Sequence, residues 1–394
     1  MTALLDGAPV ISTKDKRKPQ AWALRGRGYA YDQVNERFLR RLAEFRVRAD
    51  CAFLSKALDP GLVMDLGCGT GRVALPLSRD ERFQVVGIDA AYAMLAQFAH
   101  KAGNEHAPAT CVNAVSTALP LRPGSLAGVY SYGVVLHYQN WTEFLRPVVD
   151  ALRPGGVLAF DQSVLDGGDA WSVAGRSASG IWLGELERDL DAIGLTTQTV
   201  VPLQIGASMA AAAHWFPASA VRSEDLSQVF RLLNIYIDRL LRDDECMAFA
   251  TALEGALQPI LVNRGTFYAY VVARKAEGVP AAPRPREPLP ANVVAERIAA
   301  ALADLCARHR VNDCVLRYLA TLDPYLRHVC DGADPVTSVV GAPYTRARSE
   351  VGDFVYRLIR SPRRRAMAFH FHMTLRRMYR RALMYRVRLF GVPR

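Results

Sequence analysis

Apolar positions fall into short runs through the first half of the chain and take a helical spacing toward its end. Val63-Met-Asp-Leu-Gly-Cys-Gly-Thr-Gly-Arg72 opens as an apolar run that closes on an acid and enters three alternating glycines. Val73-Ala-Leu-Pro-Leu-Ser78 follows at helical spacing, and Val85-Val-Gly-Ile-Asp89 is a second apolar run ending in an acid. This is strand, turn, helix, strand, the first βαβ unit of a doubly wound α/β sheet. Gly128-Val-Tyr-Ser-Tyr-Gly-Val-Val-Leu-His137 predicts a fourth strand and the loop after it, and Ala151–Phe160 a turn into the fifth. Thr196–Val201 and Thr266–Lys275 read as the last two strands, more than sixty residues apart.

Glycines at 67, 69 and 71 let the chain turn sharply and leave no Cβ between backbone and ligand. A dinucleotide fingerprint needs G-x-G-x-x-G, but here the third glycine comes one residue early and Arg72 takes its place. Asp65 would repel a pyrophosphate and suit an ammonium group. Asp89 closes the second strand, where a carboxylate can accept from both hydroxyls of a ribose.

The pattern Asp65-x-Gly67-x-Gly69-x-Gly71 resembles motif I of the class I methyltransferases that bind S-adenosylmethionine (SAM). Asn113-Ala114 before Ala118-Leu-Pro120, and Leu152-Arg-Pro-Gly-Gly156, are similar to segments of the ubiquinone-biosynthesis-like (type 11) members. The matches span roughly residues 60 to 165. The resemblance implies a Rossmann-like fold, assigns Asp65 and the glycine loop to the methionine end of SAM, and gives Asp89 its ribose. It places Asn113 and Ala114 at the adenine, where the family has an acid; the Asn113 carbonyl oxygen can still accept a hydrogen bond. Family members usually carry Ser-Phe-Asp before strand four, and Ser125-Leu126-Ala127 departs from that pattern.

Residues 1–60 read as a basic arm with helices around Tyr29-Ala-Tyr31 and Phe38–Phe45. Residues 61–275 make the SAM-binding sheet domain, with a helical insertion at about 207–257. Residues 276–290 are a proline-rich linker, and 291–394 a helical, arginine-rich C-terminal domain. An insertion beside the open end of the sheet reads either as an acceptor-binding lid or as a dimer contact.

The 394 residues suffice for two or three domains, and no apolar run approaches a membrane span. Seven cysteines without framework spacing suggest reduced thiols, and the start lacks signal-peptide order, so a cytoplasmic protein is expected. All of the net charge of +11 lies after residue 290, and after Asp353 there are 12 arginines and no acid. On a helix, Arg376, Arg377, Arg380, Arg381 and Arg388 fall on one side, and Phe371, Leu375, Met378, Leu383, Leu389 and Phe390 on the other. Such a helix reads as an anchor on an anionic membrane surface, as a grip on RNA phosphates, or as a packed helix with solvated arginines. RNA is the less favoured partner, since no aromatic-plus-basic recognition motif is visible. The linker is expected to hold this tail apart from the sheet domain.

Methyl transfer from a sulfonium asks the protein mainly for alignment, and for a base where the acceptor atom carries a proton. His137 follows strand four at the methyl-facing end of the sheet and is the candidate base, with an orienting or packing role as the alternative. Tyr138, Asp161 and Trp171 belong to the same end as pocket wall or loop anchors, and Tyr29 and Tyr31 could cover the site. Cys306, His309, Cys314, His328 and Cys330 cluster in sequence without a metal-ligand spacing, so no metal is expected. The expectation is a SAM-dependent methyltransferase acting on an O or N atom of a small-molecule or lipid-linked acceptor, at a membrane surface if the tail anchors it. The alternatives are an RNA or protein methyltransferase and a non-catalytic SAM-binding protein.

Overall fold

The computed structural model describes residues 27–138, 140–165, 181–202, 204–205, 223–263, 266–277 and 288–390. Two helices, α1 (Arg27–Phe38) and α2 (Arg40–Ala57), lead into an alternation of strands and helices. It runs β1 (Gly61–Leu66), α3 (Ala74–Leu77), β2 (Phe83–Asp89), α4 (Tyr92–Glu105), β3 (Ala109–Asn113) and β4 (Leu126–Ser131). Then come α5 (Trp141–Ala151), β5 (Leu152–Leu165), β6 (Ile181–Trp182), α6 (Leu183–Asp191), β7 (Leu195–Pro202) and, after the insertion, β8 (Thr266–Lys275).

The strands form one sheet in the order β3-β2-β1-β4-β5-β8-β7, with the short β6 also on β5. β1 to β5 are parallel, and β8 runs antiparallel between β5 and β7. All six residues of β4 are buried, which explains its unbroken apolar run: a central parallel strand has helices over both faces. The doubly wound sheet expected from the sequence is present. The two distant segments 196–201 and 266–275 also pair, from Leu195 opposite Lys275 to Pro202 opposite Ala269.

Over its described part the insertion is packed into the body of the protein. Its helices α7 (Ser223–Leu240) and α8 (Asp244–Leu257) enter a large core with α9 (Ala291–Arg308), α10 (Asp313–Val329), α11 (Pro335–Val340) and α12 (Ala342–Arg360). Leu42 and Phe45 of α2, Ile237, Phe249, Ile298, Leu319 and Tyr344 meet there. The helical periodicity of each segment is that of one stripe turned toward a common center. The core that takes up the insertion is formed with α2 and the C-terminal helices rather than with the strands of the sheet.

α13 (Pro362–Phe390) corrects two expectations. It is not held apart by the linker, because it lies along α1: Leu383 packs on Ala30 and Val34, with Tyr29, Phe38, Tyr379 and Met384 around them. The two faces drawn from the sequence are also rotated. Leu383 and Val387 face inward together with the buried Arg365, while Phe371, Leu375, Met378, Leu389 and Phe390 are exposed. The cause is local. Arg376 lies over the Phe38 ring at 5.7 Å and donates to Asn35 Oδ1 at 3.2 Å, so an arginine and its aliphatic stem fill the interface.

Candidate active site

The turn after β1 is built for close approach. Gly67, Gly69 and Gly71 have φ of +77°, +56° and +78°, a region that side chains rarely adopt. A Cβ at Gly67 would stand 2.3 Å from Val134 Cγ2, and one at Gly71 would stand 2.8 Å from the Phe98 ring. The amides of Gly67 and Cys68 both donate to the Ile88 carbonyl, at 2.7 and 3.1 Å, tying the loop to the end of β2.

Asp89 fixes the other wall. Its Oδ2 accepts from the Gly69 amide at 2.9 Å and its Oδ1 from the Ala91 amide at 2.7 Å. One carboxylate thus joins the loop to the start of α4, and burial pushes its pKa up. Each oxygen has a second lone pair to offer. Asn113 donates its amide to the Asp89 carbonyl at 2.8 Å, leaving Oδ1 as the accepting end. The Ala114 amide turns back to the same carbonyl at 3.3 Å. Asp65 stands apart from these. It is 4% exposed, faces Tyr130 and the Ala74 amide, and burial raises its pKa to about 7.

Above the loop lies α1. Asp32 accepts from the Thr70 hydroxyl at 3.0 Å through one oxygen and from Lys101 Nζ at 2.6 Å through the other. The N-terminal helix is therefore clamped to the glycine loop and to α4. Tyr31 lies on the same helix.

A buried polar nest closes the site beneath the ends of β4 and β5. Asp50 of α2 is fully buried and accepts from Arg72 at 3.0 Å, Gln204 at 2.9 Å and Tyr270 at 2.7 Å. Gln204 also donates to the Tyr132 hydroxyl at 2.6 Å, and the Arg72 guanidinium lies 4.7 Å from the Tyr132 ring centroid. Asp161, inside β5, accepts from the Gly133 amide at 2.7 Å and so pins the turn that follows β4. Burial raises its pKa to about 7. Glu254 of α8 accepts from the Ile205 amide with both oxygens, at 3.0 and 2.8 Å, and burial raises its pKa to about 8.

The sequence-derived residues divide accordingly. Gly67, Gly69, Gly71, Asp89, Asn113 and Ala114 line one edge of the sheet, at the carboxyl ends of β1, β2 and β3. His137 closes the 3₁₀ turn Val135–His137 after β4, but its side chain lies outside the described residues. Trp171 lies outside them as well. Tyr138 stacks on Phe144, with ring centroids 3.9 Å apart. Among the described residues no group of three or more His, Cys, Asp or Glu could hold a metal.

Comparison with known proteins agrees with this layout. A family model described as a methyltransferase domain matches residues 63–156, which run from β1 into β5 and hold the loop, Asp89 and the turn after β4. Residues 63–156 are thus matched as a methyltransferase domain. It is 33% identical over 125 residues to a tRNA U34 carboxymethyltransferase of Shewanella denitrificans, covering 31% of this chain and 36% of that protein. It is 26% identical over 141 residues to the O-methyltransferase resE of Aspergillus sclerotiorum, covering 35% and 53%. It thus spans between about a third and half of the length of these relatives. A geranyl diphosphate C-methyltransferase from Streptomyces coelicolor A3(2) aligns in structure over 58% of this chain and 79% of its own, at 14% identity and a TM-score of 0.39.

SAM is the methyl donor of class I methyltransferases, and the residues present suit it. The methyltransferase loop has left-handed glycines where a ligand must touch backbone. An acid with spare lone pairs stands at the end of β2, and an accepting amide oxygen at the end of β3. Sequence reasoning missed the Asp32 clamp and the nest on Asp50. Thr70 carried no signal beyond its place in the loop, and Gln204 lies 154 residues from its partner Asp50.

Proposed function

We propose that this methyltransferase transfers the methyl group of SAM to an O or N atom of a small-molecule or lipid-linked acceptor. The observation that carries the reading is Asp89, which closes β2 with one oxygen on the glycine-loop amide and the other on the start of α4. A diol of a ribose is a ligand that such a braced carboxylate suits. Asn113 would then meet the adenine, and the loop the methionine end. Asp65 is enclosed below the loop, so we assign it to bracing β1 against Tyr130 rather than to direct contact with the ammonium.

When bound, SAM supplies a methyl carbon on a sulfonium, open to attack by a lone pair. The protein holds the acceptor in line and takes up its proton. We keep His137 as that base, because its 3₁₀ turn follows β4 at the carboxyl edge of the sheet. Asp161 acts through that turn as a positioning residue, by its bond to the Gly133 amide. A second reading, an RNA acceptor, is favored by the names of the tRNA-modifying relatives alone.

Calorimetry with SAM and with NAD tests the cofactor. Asp89→Ala should weaken SAM binding by at least about tenfold, since two bonds to a buried charge are lost. Equal SAM affinity, or tighter binding of NAD, would refute the assignment. Incubation of cell extract with methyl-labeled SAM, followed by separation into lipid, RNA and small-molecule fractions, identifies the acceptor. Label confined to RNA would replace the first reading by the second.

A further inference from the structure

The outward face of α13 carries a line of apolar side chains that the fold leaves in solvent. Met367, Phe371, Met378, Tyr385 and Leu389 are 68, 66, 60, 65 and 57% exposed. Spacings of four and seven residues put them on one stripe, which at 1.5 Å per residue runs roughly 33 Å along the helix. Exposed arginines border it, Arg377, Arg381 and Arg388 on one side and Arg364 and Arg386 on the other. No acid occurs after Asp353, so nothing on this helix neutralizes them. The arginines before that point are spent differently: Arg317 meets Glu350, and Arg327 and Arg348 both meet Asp334.

We propose that this stripe docks α13 on an anionic membrane surface, its apolar line in the headgroup–acyl boundary and its arginines on lipid phosphates and carboxylates. Charge decides between occupants. Two copies of the stripe would bring arginine rows against each other with no acid to relieve them. An RNA strand would meet the arginines but leave Met367, Met378 and Leu389 against phosphate and sugar, which reward none of that apolar area. A lipid surface satisfies both parts at once. No helix among the described residues is long and apolar enough to cross a membrane, so the contact is one of surface. The inward face of the same helix holds α1 over the glycine loop, so docking and cofactor binding share one pair of helices. That last link rests on the methyltransferase reading; the docking does not.

Sedimentation of the full chain with phosphatidylcholine vesicles, with and without phosphatidylserine, tests the proposal. Binding should require the anionic lipid and fade as salt rises. Phe371→Asp with Leu389→Asp, and separately Arg377→Glu with Arg381→Glu, should each lower partitioning by roughly tenfold or more. All four positions are exposed, so circular dichroism and Tm should match the parent protein. No binding to anionic vesicles, equal binding to neutral ones, or loss in the Arg pair alone together with tight tRNA binding would overturn the proposal. A stable dimer that the Phe371/Leu389 variant dissolves would assign the stripe to a second copy instead. SAM affinity of the stripe variants, measured without vesicles, should be unchanged, which separates failure of the docking idea from failure of the cofactor reading.

Discussion

Replacing Asp32 by alanine tests whether α1 is part of the cofactor site. The variant removes the bond from the Thr70 hydroxyl at 3.0 Å and the ion pair with Lys101 at 2.6 Å. A net hydrogen bond contributes about 1 kcal/mol. The ion pair has side chains 29% and 15% exposed, so solvent screening leaves it about 1 kcal/mol. Together, about 2 kcal/mol corresponds to a change of roughly thirtyfold in the seated-to-unseated ratio of α1. SAM affinity should fall by up to that factor, while the core of α7 to α12, which Asp32 does not touch, keeps its stability. Titration calorimetry gives the affinity, and amide exchange over residues 27–38 gives the seating. Faster exchange with unchanged SAM affinity would refute the reasoning, since α1 would then move without consequence for the ligand.

His137→Ala should lower turnover by roughly 10²–10⁴-fold with SAM affinity unchanged if it is the base; an unaltered rate at saturating acceptor assigns it a structural part. Asp50→Ala leaves Arg72, Gln204 and Tyr270 without their shared acceptor and should cost about 3–5 kcal/mol in denaturant unfolding, as for a broken buried ion pair. Glu254 has a folded pKa of about 8 against an ordinary 4.5, so the unfolded chain releases its proton first and stability falls as pH rises between these values. Glu254→Gln keeps an acceptor for Ile205 and should flatten that slope, seen as Tm against pH.

The sequence revealed what depends on neighbors in the chain. Three alternating glycines and an acid closing each strand located the loop and Asp89 because a βαβ turn is a local object. Strand eight was legible for the same reason, as a run of Tyr, Val and Ala. The Asp50 nest was not, because Asp50 and its partners Arg72, Gln204 and Tyr270 come from four separate segments and each is an ordinary residue where it stands. The insertion offered no sign of its destination either. Apolar stripes on α7 and α8 state that they must be buried, but not that α9 and α10 will bury them. On α13 the pattern misled, because Arg376 entered the interface over Phe38 and left Phe371 and Met378 outside.

The pairing of α1 with α13 sets an order of events during synthesis. Asn35 emerges from the ribosome 341 residues ahead of its partner Arg376. The sheet, with its glycine loop and Asp89, can be complete by Lys275, with α1 already resting on α2 and α4, whereas its further partner α13 follows only at Pro362–Phe390. A chain arrested in the linker would hold the glycine loop under a helix seated on α2 and α4 but lacking α13. Residues 362–390 therefore act on α1 as a latch added after the sheet, and proteolytic loss of that segment would loosen the helix over the glycine loop, more than three hundred residues upstream.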